Sequence, residues 1–163
     1  MYKRQADIVV AATGLNIQML GGMELSVDGE ARKLNDQMTY KGVLVENIPN
    51  LAWVFGYTNA PWTLKSDLAG EYLIKLLQHM QAHGQAVATP IDTEGCSLGI
   101  GMLDGLQSGY VQRAKETLPR QGASEPWKVL MHYGQDIKLL LETPVDDGIL
   151  QFQAAQSREE VPA

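Results

Sequence analysis

The segment 56–63 holds the residues whose types and spacing are most suited to chemistry. Its sequence, Gly-Tyr-Thr-Asn-Ala-Pro-Trp-Thr, joins a predicted strand to a predicted helix through small and polar residues. The first backbone N–H groups of a helix have no internal partner, and the helix dipole makes that end partially positive. The pattern therefore predicts a site for an anion or a polarised carbonyl. The alternative is that Thr58 or Asn59 simply caps the helix with its side chain.

Two further patterns have the spacing of known sites but lack essential parts. His79 and His83 stand four residues apart on the predicted helix, a spacing that can bind zinc. No glutamate stands between them as a general base and no third ligand is in view, so we interpret them as solvated residues near a helix end. The glycine-rich stretch 99–105 lacks the third glycine of a dinucleotide fingerprint and follows no predicted strand, which favours a flexible loop. We predict no metal site.

Nucleophilic chemistry has little support in the sequence. Cys96 is the single cysteine, and no histidine lies near it in the chain. Asp146 and Asp147 precede a glycine, which is typical of turn residues rather than of an acid–base pair. A hydrolase that uses Cys96 or Asp146 is therefore an alternative without supporting geometry, and we name no catalytic residue.

The length, composition and charge of the chain narrow the class of protein to which it can belong. The chain has 163 residues, 45% apolar and 20% charged, and its net charge is −6. This length suits one domain, and the negative charge argues against binding nucleic acid or an anionic membrane surface. One cysteine excludes an internal disulfide, and no stretch has the apolar length of a membrane span. The N-terminus does not resemble a signal peptide, so we expect a cytoplasmic protein.

The first half of the chain predicts several short strands and one long helix. Residues 6–12 form a β-branched apolar run that predicts a strand buried on both faces, as in parallel sheets. Asp28-Gly29 predicts the turn of a hairpin within residues 23–31, and further strands are expected at 39–45 and 51–55. Pro61, an apolar stripe and Gly84 predict a helix over 61–83. The stripe consists of Leu68, Leu73, Tyr72, Leu76, Leu77 and Met80.

The second half predicts a long loop followed by helices. Residues 89–109 contain many glycines and little periodicity, so we expect a loop there. A short helix is expected at 109–118, a longer helix at 126–142 and a short strand at 149–152. We interpret residues 154–163 as a polar, frayed tail.

An ordered series of motifs resembles the class B flavoprotein monooxygenases, which include the flavin-containing and Baeyer–Villiger monooxygenases. Residues 6–15 resemble the strand that ends in the "ATG" element of that family, and residues 48–65 resemble its "PNL…GYTNASWTLK" segment. Residues 108–114, residues 118–122 and Pro126-Trp127 continue the series and are closest to the ethionamide-activating branch. The resemblance covers nearly all of residues 6–152.

The resemblance implies an α/β fold and a flavin-dependent oxidation. The chain is identified as the C-terminal part of a flavoprotein with two dinucleotide-binding domains, comprising the end of the NADPH domain, the return half of the FAD domain and a helical cap. The intact enzyme would use FAD and NADPH to insert one oxygen atom of O2 into a ketone or a soft sulfur or nitrogen centre through a C4a-peroxyflavin. The residues implied to bind the cofactors are Thr13, Gly14, Gly56, Thr58, Asn59, Ala60, Trp62, Thr63 and Leu64.

The sequence also departs from the family pattern. The glycine-rich fingerprints for FAD and NADPH are absent, as are the family's F-x-G-x-x-x-H-x-x-x-W signature and the active-site arginine upstream of it. We therefore expect a fragment whose partners are the N-terminal part of the enzyme, a small organic substrate and O2. We divide the chain into a non-family leader (1–5), the return half of the FAD domain (6–88), a loop and helical cap (89–153) and a tail (154–163). The alternative function is a non-enzymatic binding module that retains the fold remnant.

Overall fold

The structure is a computed structural model that describes residues 5–12 and 14–155. Its strands are β1 (Leu25–Val27), β2 (Glu30–Arg32), β3 (Thr39–Tyr40), β4 (Leu44–Val45), β5 (Gln85–Pro90), β6 (Ser97–Gly101), β7 (Arg120–Gly122) and β8 (Leu150–Ala154). Its helices are α1 (Trp62–Ala82), α2 (Gly109–Ala114) and α3 (Tyr133–Ile137), and α3 continues into a π-helical turn, Lys138–Glu142. The predicted mixture of helices and strands is confirmed.

The strands form four antiparallel pairs: β1 with β2, β3 with β4, β5 with β8, and β6 with β7. The domain boundaries expected from the sequence stay predictions. The β5–β8 ladder pairs Ala88 with Phe152 and so joins the two sides of the boundary expected at residue 88.

The strand predicted at residues 6–12 is wrong. This segment is extended coil in which the side chains of Ile8, Val9 and Val10 are 83%, 85% and 83% exposed. A strand exists only where a neighbour accepts and donates its backbone hydrogen bonds, and no backbone hydrogen bond joins 6–12 to another described residue. The apolar run therefore has no packing partner within the described part of the chain.

Hairpins dominate the region before α1. Asp28 and Gly29 have φ values of 53° and 81°, which fit the predicted two-residue turn between β1 and β2. The single strand predicted at 39–45 is instead the hairpin of β3 and β4, since Lys41 and Gly42 both adopt positive φ and reverse the chain. The strand predicted at 51–55 is also wrong, because only Ala52 forms a bridge, to Leu44.

The long helix is confirmed to within one residue at each end. Pro61 occupies the N-cap position, and Gly84 follows the C-cap residue with a φ of 64°. Leu68, Tyr72, Leu76 and Met80 are buried as predicted. Leu77 is 62% exposed, so its assignment to the buried stripe is wrong.

Two predictions for the second half are wrong for a similar reason. Residues 89–109 are not one loop, because β5 ends at Pro90 and β6 follows at Ser97–Gly101. Residues 126–142 are not one helix. The chain makes a turn in which the N–H of Trp127 donates to the Ser124 carbonyl, and helix begins only at Tyr133. In both regions, contacts with distant residues determine the structure. β5 pairs with β8, and the carbonyl of Pro126 accepts the N–H of Lys41.

The other two elements predicted after α1 are confirmed with small changes of boundary. The short helix expected at 109–118 is α2, and the strand expected at 149–152 is β8. Of the predicted tail, residues 156–163 lie outside the described residues.

Two hydrophobic clusters hold these elements together. The first packs the buried face of α1 against β5 and the π-helical turn, with Tyr72, Leu76, Ala88 and Leu140 among its members. The second surrounds Trp53. Within the described residues, no helix has the length and apolar character needed to cross a membrane.

Candidate functional site

Gly56 lies in direct contact with the first residue of α1. A Cβ atom on Gly56 would stand only 2.3 Å from the indole carbons Cγ and Cδ2 of Trp62. The indole also packs on Phe55, with ring centroids 5.1 Å apart, while 54% of Trp62 stays exposed. The absence of a side chain at position 56 therefore allows an aromatic ring to cover the backbone where the chain enters the helix.

The first turn of α1 has no side-chain cap. Its N-cap residue is Pro61, which has no hydroxyl or carboxylate to offer. Asn59 directs its side-chain amide away, donating to the carbonyl of Met131 at 3.2 Å, and Thr58 is exposed. Neither residue caps the helix, so the capping alternative is wrong, and the partially positive helix end is open to a ligand.

The remaining predicted site residues are only partly brought together. Thr63 is exposed beside Trp62, and Ala60 and Leu64 are half-buried. Gly14 adopts a φ of 88°, and the side chains nearest to it belong to Arg113 and Tyr110 of α2, not to the 56–64 segment. Thr13 lies outside the described residues. The cofactor-binding role of all these residues stays a prediction.

A buried ion pair lies behind this helix end. Lys65 Nζ is 2.7 Å from Asp136 Oδ1, and both side chains are more than nine-tenths buried. The hydroxyl of Tyr57 donates to the other oxygen, Oδ2, at 2.6 Å. We call these three residues the Tyr57 triad. Burial lowers the pKa of Lys65, against the opposing effect of Asp136, and burial followed by the bond to Asp136 raises the pKa of Tyr57.

Sequence reasoning missed this triad, although one signal was present. Lys65 lies three and four residues before Leu68 and Ala69, and therefore on the buried face of α1. A charge on that face requires a buried partner, but nothing in the sequence identifies Asp136. Gly42 lies beside the ammonium with a φ of 65°, and a Cβ there would make an ordinary van der Waals contact with Lys65 Nζ at 3.5 Å.

A second group has the same composition. The hydroxyl of Tyr40 donates to Asp147 Oδ2 at 2.5 Å, and Lys41 Nζ lies 3.4 Å from the same oxygen. We call it the Tyr40 triad. The other oxygen of Asp147 accepts the N–H groups of Ile149 and Leu150, which confirms that this aspartate is a turn residue.

The cavities do not add a second site among the predicted residues. A cavity of about 10 Å³ lies between Gly56, Lys65 and Asp136, which is room for at most one water. A larger groove of about 840 Å³ is lined by residues from 17 to 35 and by Glu116 and Thr117. Neither cavity is lined by Thr58, Trp62 or Thr63.

The weaker candidates have structural roles. The rings of His79 and His83 stack at 4.3 Å, and His79 also packs on Phe152. Across residues 5–12 and 14–155, no group of three or more His, Cys, Asp or Glu side chains could hold a metal ion. The Cys96 thiol donates to Asp92, and partial burial together with this carboxylate raises its pKa to about 11. The glycine-rich stretch 99–105 contributes to β6 rather than to a nucleotide-binding turn.

Comparison with known proteins identifies relatives over most of the chain. The chain is 63% identical over 151 residues to MymA of Mycobacterium tuberculosis, whose name describes an FAD-containing monooxygenase; the match covers 93% of this chain and 30% of MymA. AlmA of Acinetobacter baylyi, by name an FAD-binding monooxygenase, is 42% identical over 147 residues, which is 90% of this chain and 30% of AlmA.

A third relative, the FAD-containing monooxygenase EthA of Mycobacterium tuberculosis, is 38% identical over 147 residues, with the same coverage as AlmA. No protein-family model matches the chain, and no solved structure matches it. The chain spans about 30% of the length of these relatives. Over the matched residues, this chain is similar to proteins that are named FAD-containing or FAD-binding monooxygenases.

Proposed function

We propose that this chain supplies the flavin-facing helix end of an FAD- and NADPH-dependent monooxygenase of Baeyer–Villiger type. The complete enzyme inserts one oxygen atom of O2 into a ketone or oxidises a soft sulfur or nitrogen centre. The glycine-rich dinucleotide loops and any catalytic side chain come from a polypeptide that corresponds to the rest of the relatives. The cytoplasmic location expected from the sequence is part of the same proposal.

The observation that carries the proposal is the open first turn of α1 beside Gly56. Pro61 provides no side-chain cap, and Thr58, Trp62 and Thr63 are exposed around it. These groups fit the polar edge of a flavin, because uncapped N–H groups and a positive dipole end favour an electron-rich ring oxygen or nitrogen. The exposed indole of Trp62 offers an aromatic surface next to the same edge.

When bound, the flavin supplies the chemistry that activates oxygen, while the chain supplies a fixed electrostatic environment. The helix end stabilises negative charge on the ring because its N–H groups already point in one direction. Trp62 covers Gly56 and keeps water from the backbone behind the site. The exposed residues of this segment, Thr58, Asn59, Pro61, Trp62 and Thr63, carry no ionisable side chain.

A chimera with MymA tests this proposal. In it, the 151 matching residues of MymA are replaced by those of this chain, and unmodified MymA is the control. We expect the chimera to purify with FAD and to oxidise NADPH in the presence of O2, with oxygen incorporated into a ketone or thioether probe. A chimera that folds to the same melting temperature as MymA without binding FAD would overturn the proposal.

The same measurements distinguish the alternative of a non-enzymatic binding module. The two hydrophobic clusters are formed by buried side chains of this chain alone, which favours a chain that folds without a cofactor. A flavin-free chain that melts cooperatively, combined with a chimera that fails to bind FAD, would support the binding module.

A further inference from the structure

The Tyr57 triad fills the space behind α1 with charged groups that lose their hydration, which apolar residues in the same space would not do. Lys65 places a positive charge in the first turn of the helix, which is the end that the dipole already makes positive. A buried ion pair is often less stabilising than apolar residues of the same volume, because both charges lose their water. Stability alone therefore does not account for Lys65 and Asp136 at these positions.

The arrangement of the triad connects the three parts of the chain that surround the helix end. Tyr57 belongs to the loop that enters α1, Lys65 to the first turns of α1, and Asp136 to α3. Each oxygen of Asp136 holds one of the other two residues, at 2.6 and 2.7 Å. The carboxylate therefore fixes the loop relative to the helix, and with it the direction of the uncapped N–H groups.

We propose that Tyr57, Lys65 and Asp136 are positioning residues. They hold the N-terminus of α1 in the orientation in which its N–H groups face the flavin ring. This inference rests on the proposed function and adds to it the buried groups that set the geometry of the site. Asp136 connects the flavin-facing surface to the C-terminal part of the chain, since α3 continues directly into the π-helical turn.

The Tyr40 triad provides a matched control within the same molecule. Tyr40 makes the same kind of bond as Tyr57, a phenol donating to a carboxylate that also faces a lysine. Its aspartate lies in the turn before β8, and none of its members belongs to the loop that enters α1. Removing either hydroxyl deletes one hydrogen bond to a carboxylate, but only Tyr57 belongs to the segment that carries the predicted flavin site.

The test compares Tyr57→Phe with Tyr40→Phe in the MymA chimera. The readouts are the melting temperature of the flavin-free protein, the FAD dissociation constant from fluorescence quenching, and the midpoint potential of the bound flavin. We expect both variants to melt at a lower temperature than the parent. Only Tyr57→Phe should weaken FAD binding, by about tenfold, as befits the loss of a hydrogen bond to a charged group.

The midpoint potential separates positioning from a merely structural role. A helix end that is no longer aligned stabilises the reduced, anionic flavin less, so Tyr57→Phe should lower the potential. A tenfold loss of preference for the reduced form corresponds to about 30 mV for a two-electron couple. Tyr40→Phe should leave the potential unchanged.

Equal effects of the two substitutions on FAD affinity and potential would overturn the positioning role while leaving the proposed function intact. A parent chimera that folds but does not bind FAD would instead overturn the proposed function itself. If Tyr57→Phe does not fold, Lys65→Met, which removes the charge on the other side of Asp136, is compared with Tyr40→Phe by the same readouts. A potential unchanged by Lys65→Met would equally overturn the inference.

Discussion

At the scale of single residues, the candidate site is built from backbone rather than from reactive side chains. Gly56 contributes by having no Cβ, and Pro61 contributes by offering no cap. Trp62 then covers the glycine and leaves about half of its own surface exposed. The result is a helix end without a side-chain cap, which suits a role in binding a cofactor that carries the chemistry itself.

Alanine at position 56 should disturb this contact. We expect Gly56→Ala to lower the free energy of unfolding by about 1–3 kcal/mol, because its Cβ would overlap the indole of Trp62. Urea denaturation of the full chain measures the change. Gly70→Ala is the control: apart from its chain neighbours and the backbone of its own helix, no atom lies within 4 Å of that Cβ position, and alanine in a helix interior gains up to about 1 kcal/mol. Equal stability of the two variants would contradict the close contact.

Cys96 should react slowly with alkylating agents. At pH 8.5 an ordinary thiol is about half ionised. With the pKa of Cys96 raised to about 11, roughly 0.3% is thiolate at that pH. We therefore expect iodoacetamide to react roughly a hundredfold more slowly than with the urea-unfolded chain, and the rate to increase up to about pH 11. A rate that levels off near pH 8.5 in the folded chain would show that Asp92 does not hold the thiol protonated.

At the scale of elements, α1 was predictable because its signals are local. Proline, an apolar stripe and a glycine at the end all act within the helix, and the observed bounds agree with them. The limits of that reasoning are visible at Leu77, which satisfies the spacing of the stripe but faces solvent. Spacing specifies a range of helix faces, and only the neighbouring β5 and π-helical turn decide which of them is buried.

Leu76 and Leu77 test this assignment as adjacent residues of the same type. Leu76 is 4% exposed within the first cluster, so Leu76→Ala should cost about 2–5 kcal/mol through a cavity. Leu77→Ala removes the same atoms from a side chain that is 62% exposed and should change stability by less than about 0.5 kcal/mol. Denaturation midpoints of the two variants provide the comparison. A larger loss of stability from Leu77→Ala would show that Leu77, and not Leu76, lies on the buried face of α1.

A strand is predictable from this sequence where a turn lies close to it. Asp28-Gly29 specifies the β1–β2 hairpin, whereas β5 pairs with β8 from the far end of the chain. No local pattern encodes that pairing, and residues 85–101 were therefore interpreted in part as a loop. The same limit applies to the site: the 56–64 segment was recognisable, but the partner of Lys65 depends on how α3 packs.

At the scale of the whole molecule, the chain spans about 30% of its relatives and lacks the glycine-rich fingerprints of a dinucleotide site. An uncapped helix end can orient a flavin ring, but the pyrophosphate of FAD requires a glycine-rich loop at another helix N-terminus. We therefore predict that the isolated chain binds FAD weakly or not at all. Gel filtration after mixing with FAD tests this: retention of flavin absorbance at the position of the protein would contradict it.

The exposed run of Ile8, Val9 and Val10 should govern how the isolated chain associates. An apolar extended segment with unpaired backbone groups is a template for pairing with another strand, whereas an exposed residue on a helix is not. We expect Val9→Lys to increase the monomer fraction in light scattering without changing the melting temperature, because Val9 is 85% exposed.

Leu77→Lys is the matched control for this effect. It also replaces an exposed apolar residue with a lysine, but the backbone of α1 is already hydrogen-bonded within the helix, so association should not change. An equal gain in monomer from both variants would mean that general surface hydrophobicity, not the extended segment, drives association. A gain from Val9→Lys alone would identify residues 8–10 as the segment through which copies of this chain associate.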